Sequence, residues 1–388
     1  MSRINDLIKE LCPNGVEYVK LEELVDYIQP AKYIVKNTNY DIKYDVPVLT
    51  AGQTFILGYT NEKDGIYYAS ADNPVVIFDD FTTSNHWVDF NFKVKSSAMK
   101  ILISKTDNLF KYIYYCISNI DYVPKEHSRQ WIQVYSQFQI PLPPLKVQEE
   151  IVRILDKFGE LEAELEAELE TRKNQYEFWR GKLFEKENVK YMKISEFAKC
   201  CAGATPSTSH SEYWENGTIP WMSSGEVNNI EIYDTEKKIT ELGYNSSSTK
   251  MLPINTVVVA LAGQGKTRGL VAITRKEVCT NQSLCGIVPD ERVDNEYLFH
   301  YLQSRYKDLR RISSGDGTRG GLNLKMINDY KVPVPSIDEQ KKIINVLNRF
   351  SRLVNSYTDG LPAEIELRRQ QYEYYRNKLL SFEELVNE

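Results

Sequence analysis

The feature that most constrains the fold of this chain is an internal repeat. Residues 140–145, Ile-Pro-Leu-Pro-Pro-Leu, recur as Val-Pro-Val-Pro-Ser-Ile at residues 332–337, an offset of 192 (332 − 140). Residues 175–180, Gln-Tyr-Glu-Phe-Trp-Arg, recur as Gln-Tyr-Glu-Tyr-Tyr-Arg at residues 371–376, an offset of 196 (371 − 175). A chain that repeats two separated blocks in the same order predicts two similar domains, each followed by a similar second segment.

Each Pro-rich joint is followed by the residue spacing of a coiled coil. Between residues 146 and 186, apolar residues recur in steps of three and four, and Glu162 and Arg172 occupy two positions of the seam. Polar seam residues weaken a coiled coil but can fix its register. In the second copy, two consecutive four-residue steps at 357–361–365 lie beside Gly360 and Pro362. Such an insertion unwinds a coil locally and Pro removes a helical hydrogen bond, so we expect a kink or a break there.

The two helices are alike, so we expect them to pair with each other in antiparallel fashion. The remaining parts carry short apolar strands, such as residues 75–78 and 257–260, followed by helical patterns. The predicted fold class is therefore α+β, with two similar domains alternating with two long helices that pair as an antiparallel coiled coil. The predicted boundaries are 1–145 and 187–335 for the domains, and 146–186 and 336–388 for the helices.

Composition and motifs argue against a membrane protein, a metalloprotein and an enzyme. No stretch approaches twenty apolar residues, and the N-terminus lacks an apolar signal core. The six cysteines have no metal-ligand spacing, which favours reduced thiols and a cytoplasmic protein. No cofactor fingerprint, helicase box or clear nuclease constellation is present, and Asp79 and Asp80 are interpreted as turn residues or solvated acids. The net charge of −6 is concentrated at residues 160–170, so nucleic acid can still bind elsewhere.

One segment resembles a phosphate-binding loop. Residues 260–267 read Ala-Leu-Ala-Gly-Gln-Gly-Lys-Thr after a predicted strand. A nucleotide-binding loop needs a helix next, whereas residues 270–274 are strand-like. We therefore expect a Gly-rich hairpin that presents Lys266, Thr267 and Arg268 to a nucleic acid. A nucleotide-binding enzyme stays an alternative, which a helix after Thr267 would support.

The order of domain, Pro-x-Pro joint and Gln-containing helix, repeated twice, resembles the specificity (S) subunit of type I restriction–modification systems over nearly the whole chain. Residues 203–207, followed by Tyr213-Trp214 and residues 219–221, are similar to the opening of that family's target-recognition domain. Residues 333–340 resemble its joint to the helix. The first domain departs from the pattern, because Ile-Gln-Pro-Ala at 28–31 stands where Gly-x-Thr-Pro is expected.

The resemblance implies a non-catalytic subunit in which each domain reads one half of a bipartite double-stranded DNA target. The helices would set the spacing and dock two methyltransferase (M) subunits, which bind S-adenosylmethionine and methylate adenine. Restriction (R) subunits would join the complex, and this chain itself would hold no cofactor. Two alternatives stay open: the specificity subunit of a type II enzyme with a separate recognition chain, and a scaffold coiled coil without DNA recognition.

Polar loops between the predicted strands are the candidate DNA-reading elements. Arg can contact guanine in bidentate fashion, Asn and Gln can contact adenine, and Ser and Thr are less selective. Changes in the first-domain loops are expected to alter one half-site, and changes in the second-domain loops the other. The candidate DNA contacts are Thr82, Thr83, Asn85, His86, Ser128, Arg129, Gln130, Gln264, Lys266, Thr267, Arg268, Thr318 and Arg319.

Other residues are expected to serve packing or assembly. The acidic run at 160–170 should not contact DNA, because phosphate repels carboxylates. The candidate partner-binding residues are the aromatic side chains in the repeated block of each helix: Tyr176, Trp179, Tyr372 and Tyr375. The tryptophans Trp131 and Trp221 are interpreted as core.

Overall fold

The computed structural model describes residues 2–50, 52, 54–185, 188–263, 267–313 and 321–385. The chain divides into two compact units: a first unit of residues 1–165 and 365–388, and a second unit of residues 166–364. It passes from the first unit to the second within one long helix and returns within another.

The first unit is an α+β domain with short strands of two to six residues. Its elements are α1 Ser2–Leu11, β1 Tyr18–Lys20, α2 Leu21–Leu24, β2 Val25–Ile28, β3 Val46–Leu49, β4 Ile56–Thr60, β5 Val75–Asp79, β6 Asn85–Val88, β7 Lys93–Val94, β8 Met99–Ser104, α3 Phe110–Ser118, β9 Gln139–Pro141 and the first part of α4 Leu145–Lys182.

The second unit repeats most of this order after α4 and has additional elements. Its elements are β10 Tyr191–Lys193, α5 Ile194–Phe197, β11 Ala198–Ala202, β12 Ile219–Met222, β13 Glu231–Ile232, β14 Lys237–Ile239, α6 Glu241–Asn245, β15 Val257–Ala260, β16 Val271–Thr274, β17 Cys279–Thr280, β18 Leu284–Pro289, α7 Asn295–Ser304, α8 Tyr306–Ile312, α9 Leu324–Asp329, β19 Lys331–Pro333 and α10 Ile337–Asn355. The last helix, α11 Leu361–Leu379, begins in the second unit and continues in the first.

The sheet topology is also duplicated. The main sheet has the order β2-β8-β5-β6 in the first unit and β11-β18-β15-β16-β13 in the second. A smaller sheet has the order β4-β3-β7 in one unit and β14-β12-β17 in the other, and the pairs β1-β9 and β10-β19 close each domain. The predicted α+β class with two similar domains is confirmed, and the sequence repeat is a repeat of the fold.

Both Pro-rich joints are held by a glutamine on the following helix. The Gln148 amide donates to the carbonyl of the proline five residues before it (2.8 Å), and its oxygen accepts from the Leu109 N–H (3.1 Å). Gln340 does the same in the second unit, at 2.9 Å to its proline carbonyl and 2.8 Å from the Asp294 N–H. Both glutamines are fully buried, so their hydrogen bonds fix the angle at which each helix leaves its domain.

The predicted coiled-coil seam is present on α4, a helix of 38 residues. Its less exposed positions continue from Leu155 in steps of three and four, and they include the polar Glu162 and Arg172. In the first unit, Phe158 stacks on Tyr375 of α11 (5.6 Å between ring centroids), and Glu162 accepts from Arg369 at 2.5 Å. The residue numbers of the contacting residues increase along α4 and decrease along α11, so the predicted antiparallel pairing is confirmed.

In the second unit the later part of α4 packs against α10, where Tyr176 stacks on Phe350 (6.4 Å). The second helical stretch is broken, because α10 ends at Asn355 and α11 begins at Leu361. A Cβ on Gly360 would lie 2.5 Å from the Arg352 carbonyl oxygen, so this turn requires glycine. The predicted kink or break is therefore a break.

The described part of the chain holds no helix long and apolar enough to cross a membrane. The six cysteines are free thiols, and burial raises the pKa of the Cys116 thiol to about 12. Among the described residues, no group of His, Cys, Asp and Glu could hold a metal ion.

Candidate nucleic-acid interface

Two predicted loops of the first unit lie together. The β5–β6 turn meets residues 127–130, because the Gln130 N–H donates to the Asp80 carbonyl (2.8 Å). The Phe81 ring stacks on His127, with 4.6 Å between centroids and 21° between planes. We call residues 80–86 and 127–130 the first tip.

A buried ion pair anchors the first tip. The Asp80 carboxylate lies 3.5 Å from the Lys100 ammonium, both side chains are almost fully buried, and Asp80 also accepts from the Trp131 N–H at 2.9 Å. Asp79 is a turn residue, as predicted, since its carboxylate accepts from the N–H groups two and three residues later. Asp80 also lies in the turn that follows β5, but it is a buried acid and not a solvated one, and it joins both loops of the tip.

Several first-domain candidates shape the tip from inside. Thr83 is 92% buried and has a φ of 63°, which a residue with a Cβ rarely adopts. The Asn85 side chain accepts from Ser118 (2.6 Å), and the His86 ring stacks on Phe55 (4.4 Å). These hydrogen bonds and contacts fix the turn that presents the neighbouring residues.

Gln130 is the other interior member of the first tip. Its side chain is 2% exposed, accepts from the Tyr122 hydroxyl (2.8 Å) and donates to the Ser128 carbonyl (2.8 Å). In contrast, the side chains of Thr82, Ser128 and Arg129 are exposed to solvent. These three are the first-unit candidates whose side chains are exposed, whereas Asn85 and His86 are half-buried.

The second unit has a tip built in the same way. The Leu322 N–H donates to the Leu261 carbonyl at 2.8 Å. Leu322 is the equivalent of Gln130, because it stands 192 residues after it. Leu261 is the equivalent of Asp80, because each directly follows the corresponding strand, β15 or β5. We call residues 261–263, 267–269, 321 and 322 the second tip.

The second tip contains the described part of the segment that resembled a phosphate-binding loop. Strand β16 follows it and pairs antiparallel with β15, so the predicted hairpin is confirmed and no helix follows Thr267. Thr267 is half-buried and Arg268 is 6% exposed. The remaining second-domain candidates, Gln264, Lys266, Thr318 and Arg319, lie outside the described residues.

The sequence analysis missed a basic element beside the second tip. Helix α8 and the residue before it carry Arg305, Lys307, Arg310 and Arg311. A Cβ on Gly269 would lie 3.4 Å from the Arg310 Cγ, so the helix packs against the tip. Four basic residues within a stretch of seven stand out in an acidic chain, so the sequence could have indicated this basic element.

The motif that opens the second domain serves packing. A Cβ on Gly203 would lie 1.8 Å from the Thr280 carbonyl oxygen, so only glycine fits. The Trp221 indole donates to the Ala204 carbonyl (2.9 Å) and meets Trp214 edge to face at 5.0 Å. The expectation that Trp131 and Trp221 belong to the core is confirmed.

The repeated aromatic block divides into buried and exposed side chains. Tyr176 is 5% exposed, and Arg180 lies over its ring at 5.3 Å. Tyr372 is half-buried, and Arg376 lies over it in the same way at 5.4 Å. Tyr375 is half-buried against Phe158. These tyrosines hold the helix pairs together.

The exposed aromatic side chains of the block are Trp179 (43%), Phe178 (56%) and Tyr374 (61%). Phe178 and Trp179 meet edge to face at 5.4 Å in the second unit, and Tyr374 meets Tyr375 likewise at 5.2 Å in the first. Phe178 and Tyr374 were not among the predicted partner-binding residues, although their equivalent places in the repeated block could have indicated them.

These features define a class: a two-domain recognition protein in which each domain presents a two-loop tip and is fixed to a long helix. The family described as "Type I restriction modification DNA specificity domain" matches residues 13–171 and 186–367. The chain therefore belongs to the specificity subunits of type I restriction–modification systems, the non-catalytic subunits that recognise DNA within such a complex and carry no cofactor themselves.

The chain is similar to individual proteins over almost its full length. It is 45% identical to the type I restriction enzyme EcoR124I/EcoR124II specificity subunit of Escherichia coli, covering 98% of each chain. It is 27% identical to a putative type I specificity subunit of Haemophilus influenzae, covering 97% of this chain and 98% of that one. The crystal structure of a type I S subunit from M. genitalium shares the fold, with a TM-score of 0.57 at 15% identity over 95% of this chain and 97% of that one.

Proposed function

We propose that each unit reads one half of a bipartite target in duplex DNA through its tip. In this proposal the recognition domains end near residues 145 and 335, and the helices between and after them set the number of unread base pairs. The observation that carries the proposal is the duplicated tip. Two loops that are distant in sequence are joined at equivalent positions in both units by the same backbone hydrogen bond.

The exposed side chains of the first tip are proposed to read its half-site. Arg129 has the donor geometry for guanine, and Thr82 and Ser128 can donate to or accept from base edges or phosphates. Thr83, Asn85, His86 and Gln130 then act by holding the tip in shape, because their side chains are partly or fully buried in it.

The second half-site is proposed to be read from the second tip. Thr267 is partly accessible there, and Gln264, Lys266, Thr318 and Arg319 are kept as proposed contacts on sequence grounds. Arg268 is proposed to stabilise the hairpin base, because its side chain is almost fully buried.

The acidic stretch of α4 is proposed to face away from DNA. Between residues 160 and 170 every glutamate is at least partly exposed. A glutamate face repels phosphate, so it suits assembly with protein partners better than DNA contact.

Docking of two M subunits is proposed at the exposed aromatic residues, one site in each unit. Phe178 with Trp179 and Tyr374 with its neighbour Tyr375 occupy equivalent places of the repeated block and expose large apolar surface. Exposed aromatic residues of this size are typical of interface anchors. The M subunits would supply S-adenosylmethionine and adenine methylation, R subunits would complete the enzyme, and the complex would act on DNA in the cytoplasm.

The proposal is tested by changing exposed residues of one tip at a time. The variant Ser128→Ala/Arg129→Ala is assembled with its M subunits, and the motif it methylates is determined by long-read sequencing. We expect only one half of the motif to lose sequence specificity. Each lost base contact should reduce the free energy of discrimination between bases by about 1–3 kcal/mol. Lys43→Ala, an exposed cation of the same unit outside the tip, should leave the motif unchanged. Relaxation of both halves together would refute the assignment of one half-site to each unit.

A further inference from the structure

Helix α8 and the residue before it form a basic segment of the second unit, and the chain as a whole is acidic. Four basic side chains and one acidic side chain fall between residues 305 and 311, whereas the net charge of the chain is −6. In the first unit, α3 ends at Ser118 and residues 119–134 contain no helix. The basic helix is therefore, with β13 and α6, one of the elements that the second unit has and the first unit lacks.

The packing of α8 directs two of its cations to solvent. Leu309 is fully buried, and Lys307 and Arg311 lie two residues before and after it. Two residues turn an α-helix by about 200°, so both cations lie nearly opposite the buried face. The Arg311 side chain is 80% exposed, and its partner is Asp308 of the same helix, at 3.0 Å.

The position of α8 ties it to the second tip. The Arg310 Cγ would be 3.4 Å from a Cβ on Gly269, which has a φ of 82° and ends the hairpin turn. Helix α8 ends at Ile312, two residues before the segment 314–320 that leads to the tip residue Leu322. Helix α8 thus packs against the second tip through Leu309 and Arg310, and Lys307 and Arg311 lie on the solvent-facing side of this helix beside the tip.

We propose that Lys307 and Arg311 bind backbone phosphates that flank the second half-site, a contact without counterpart in the first unit. This inference rests on the proposed function. The two side chains are separated by about 6 Å along the helix, and successive phosphates of one strand by about 3.4 Å along the duplex axis. Two long, flexible cations at this spacing can reach neighbouring phosphates. They contribute affinity and orientation and read no sequence.

The test compares Lys307→Ala/Arg311→Ala with the wild-type protein, each assembled with M subunits, by measuring DNA affinity as a function of salt. Loss of two phosphate contacts should reduce the slope of log K against log salt by about 1.8 and weaken binding by roughly 10- to 100-fold at 0.1 M salt. The methylated motif should not change. Lys307→Arg/Arg311→Lys should retain the slope.

The matched control is Lys341→Ala/Lys342→Ala on α10, where Lys342 is also exposed and paired with an acid of its own helix (Glu339, 2.8 Å). It should leave the slope unchanged. Uncharged methylphosphonate linkages next to the second half-site should abolish the difference between wild type and variant, and the same linkages next to the first half-site should not.

The outcomes separate this inference from the function on which it rests. If the wild-type complex binds no DNA motif specifically, the proposed function fails. If the wild type is specific and the α8 variant keeps the wild-type slope, the phosphate contact is refuted. A changed motif in the α8 variant would also refute it, because the helix would then read bases.

Discussion

Inserting one more Leu-Glu-Ala-Glu unit into α4 should change the gap between the half-sites without changing either half. Residues 161–164 and 165–168 form a tandem tetrapeptide, and the chain passes from the first unit to the second between Leu165 and Glu166. An insertion after Glu164 leaves the Glu162–Arg369 ion pair intact on one side of it. The Tyr176–Phe350 stack stays intact on the other.

The size of the effect follows from helix geometry. Four residues lengthen an α-helix by about 6 Å and turn it by about 40° beyond a full turn. One base pair adds about 3.4 Å and roughly 35° of twist. The added rotation matches the twist of one base pair, and the added length is less than that of two base pairs. We therefore expect the gap to grow by one to two base pairs. The α10–α11 side contains the non-helical residues 356–360, where a change in backbone conformation can let it follow.

The assay is motif determination on DNA methylated by the insertion variant with its M subunits. A three-residue insertion is the control, because it adds about 4.5 Å but turns the helix by about 60° in the opposite sense. The three-residue variant should lose methylation at every gap length. A second control replaces residues 165–168 with a different helical tetrapeptide, and it should leave the gap unchanged. An unchanged gap with full activity of the four-residue variant would show that α4 does not set the distance.

Three further predictions test the anchor of the first tip, the docking residues and one buried histidine. Asp80→Asn leaves Lys100 buried beside a neutral group and should cost about 3 kcal/mol in the free energy of unfolding, measured by urea denaturation; a cost below about 1 kcal/mol would contradict the anchoring role. Trp179→Ala should weaken co-purification with M subunits. Its thermal midpoint should shift by less than that of Tyr176→Ala. Loss of DNA affinity alone in the M-bound protein would refute the docking role. Burial holds the pKa of His300 below its ordinary 6.5, so its contribution to stability is complete above pH 6.5 and falls as the pH drops towards the lower folded-state pKa. His300→Gln should therefore flatten the loss of thermal stability between pH 7 and 5.5, and an unchanged pH profile would rule this histidine out as its source.

The sequence was most informative where its signals were periodic or local. The 192-residue offset identified the joints, and the structure holds both with equivalent buried glutamines, Gln148 and Gln340. The three- and four-residue steps identified the seam of α4 down to its polar positions. Gly360 and Pro362 located the break. Gly360 allows a close approach of the backbone and Pro362 lacks an N–H, and both properties can be read from the single residue.

The sequence was least informative about which polar residues are exposed. Gln130 and Asp80 lie in segments that read as polar loops, yet both are buried. The partner of Gln130 is Tyr122, eight residues earlier in the same loop, and the partner of Asp80 is Lys100 of strand β8. The basic helix α8 was missed because it is an insertion in one copy, and a comparison of the two copies does not reveal it.

The sequence by itself determined the duplication, the α+β class, the paired helices and the family, since each is recorded in spacing along the chain. Only the tertiary structure decided that loops some 45 residues apart in the first unit form one tip, and which of their side chains face solvent. The physical reason is that a periodic pattern depends on neighbours within a few residues. The Gln130–Asp80 hydrogen bond and the Asp80–Lys100 ion pair form only when the packed sheet brings distant segments together.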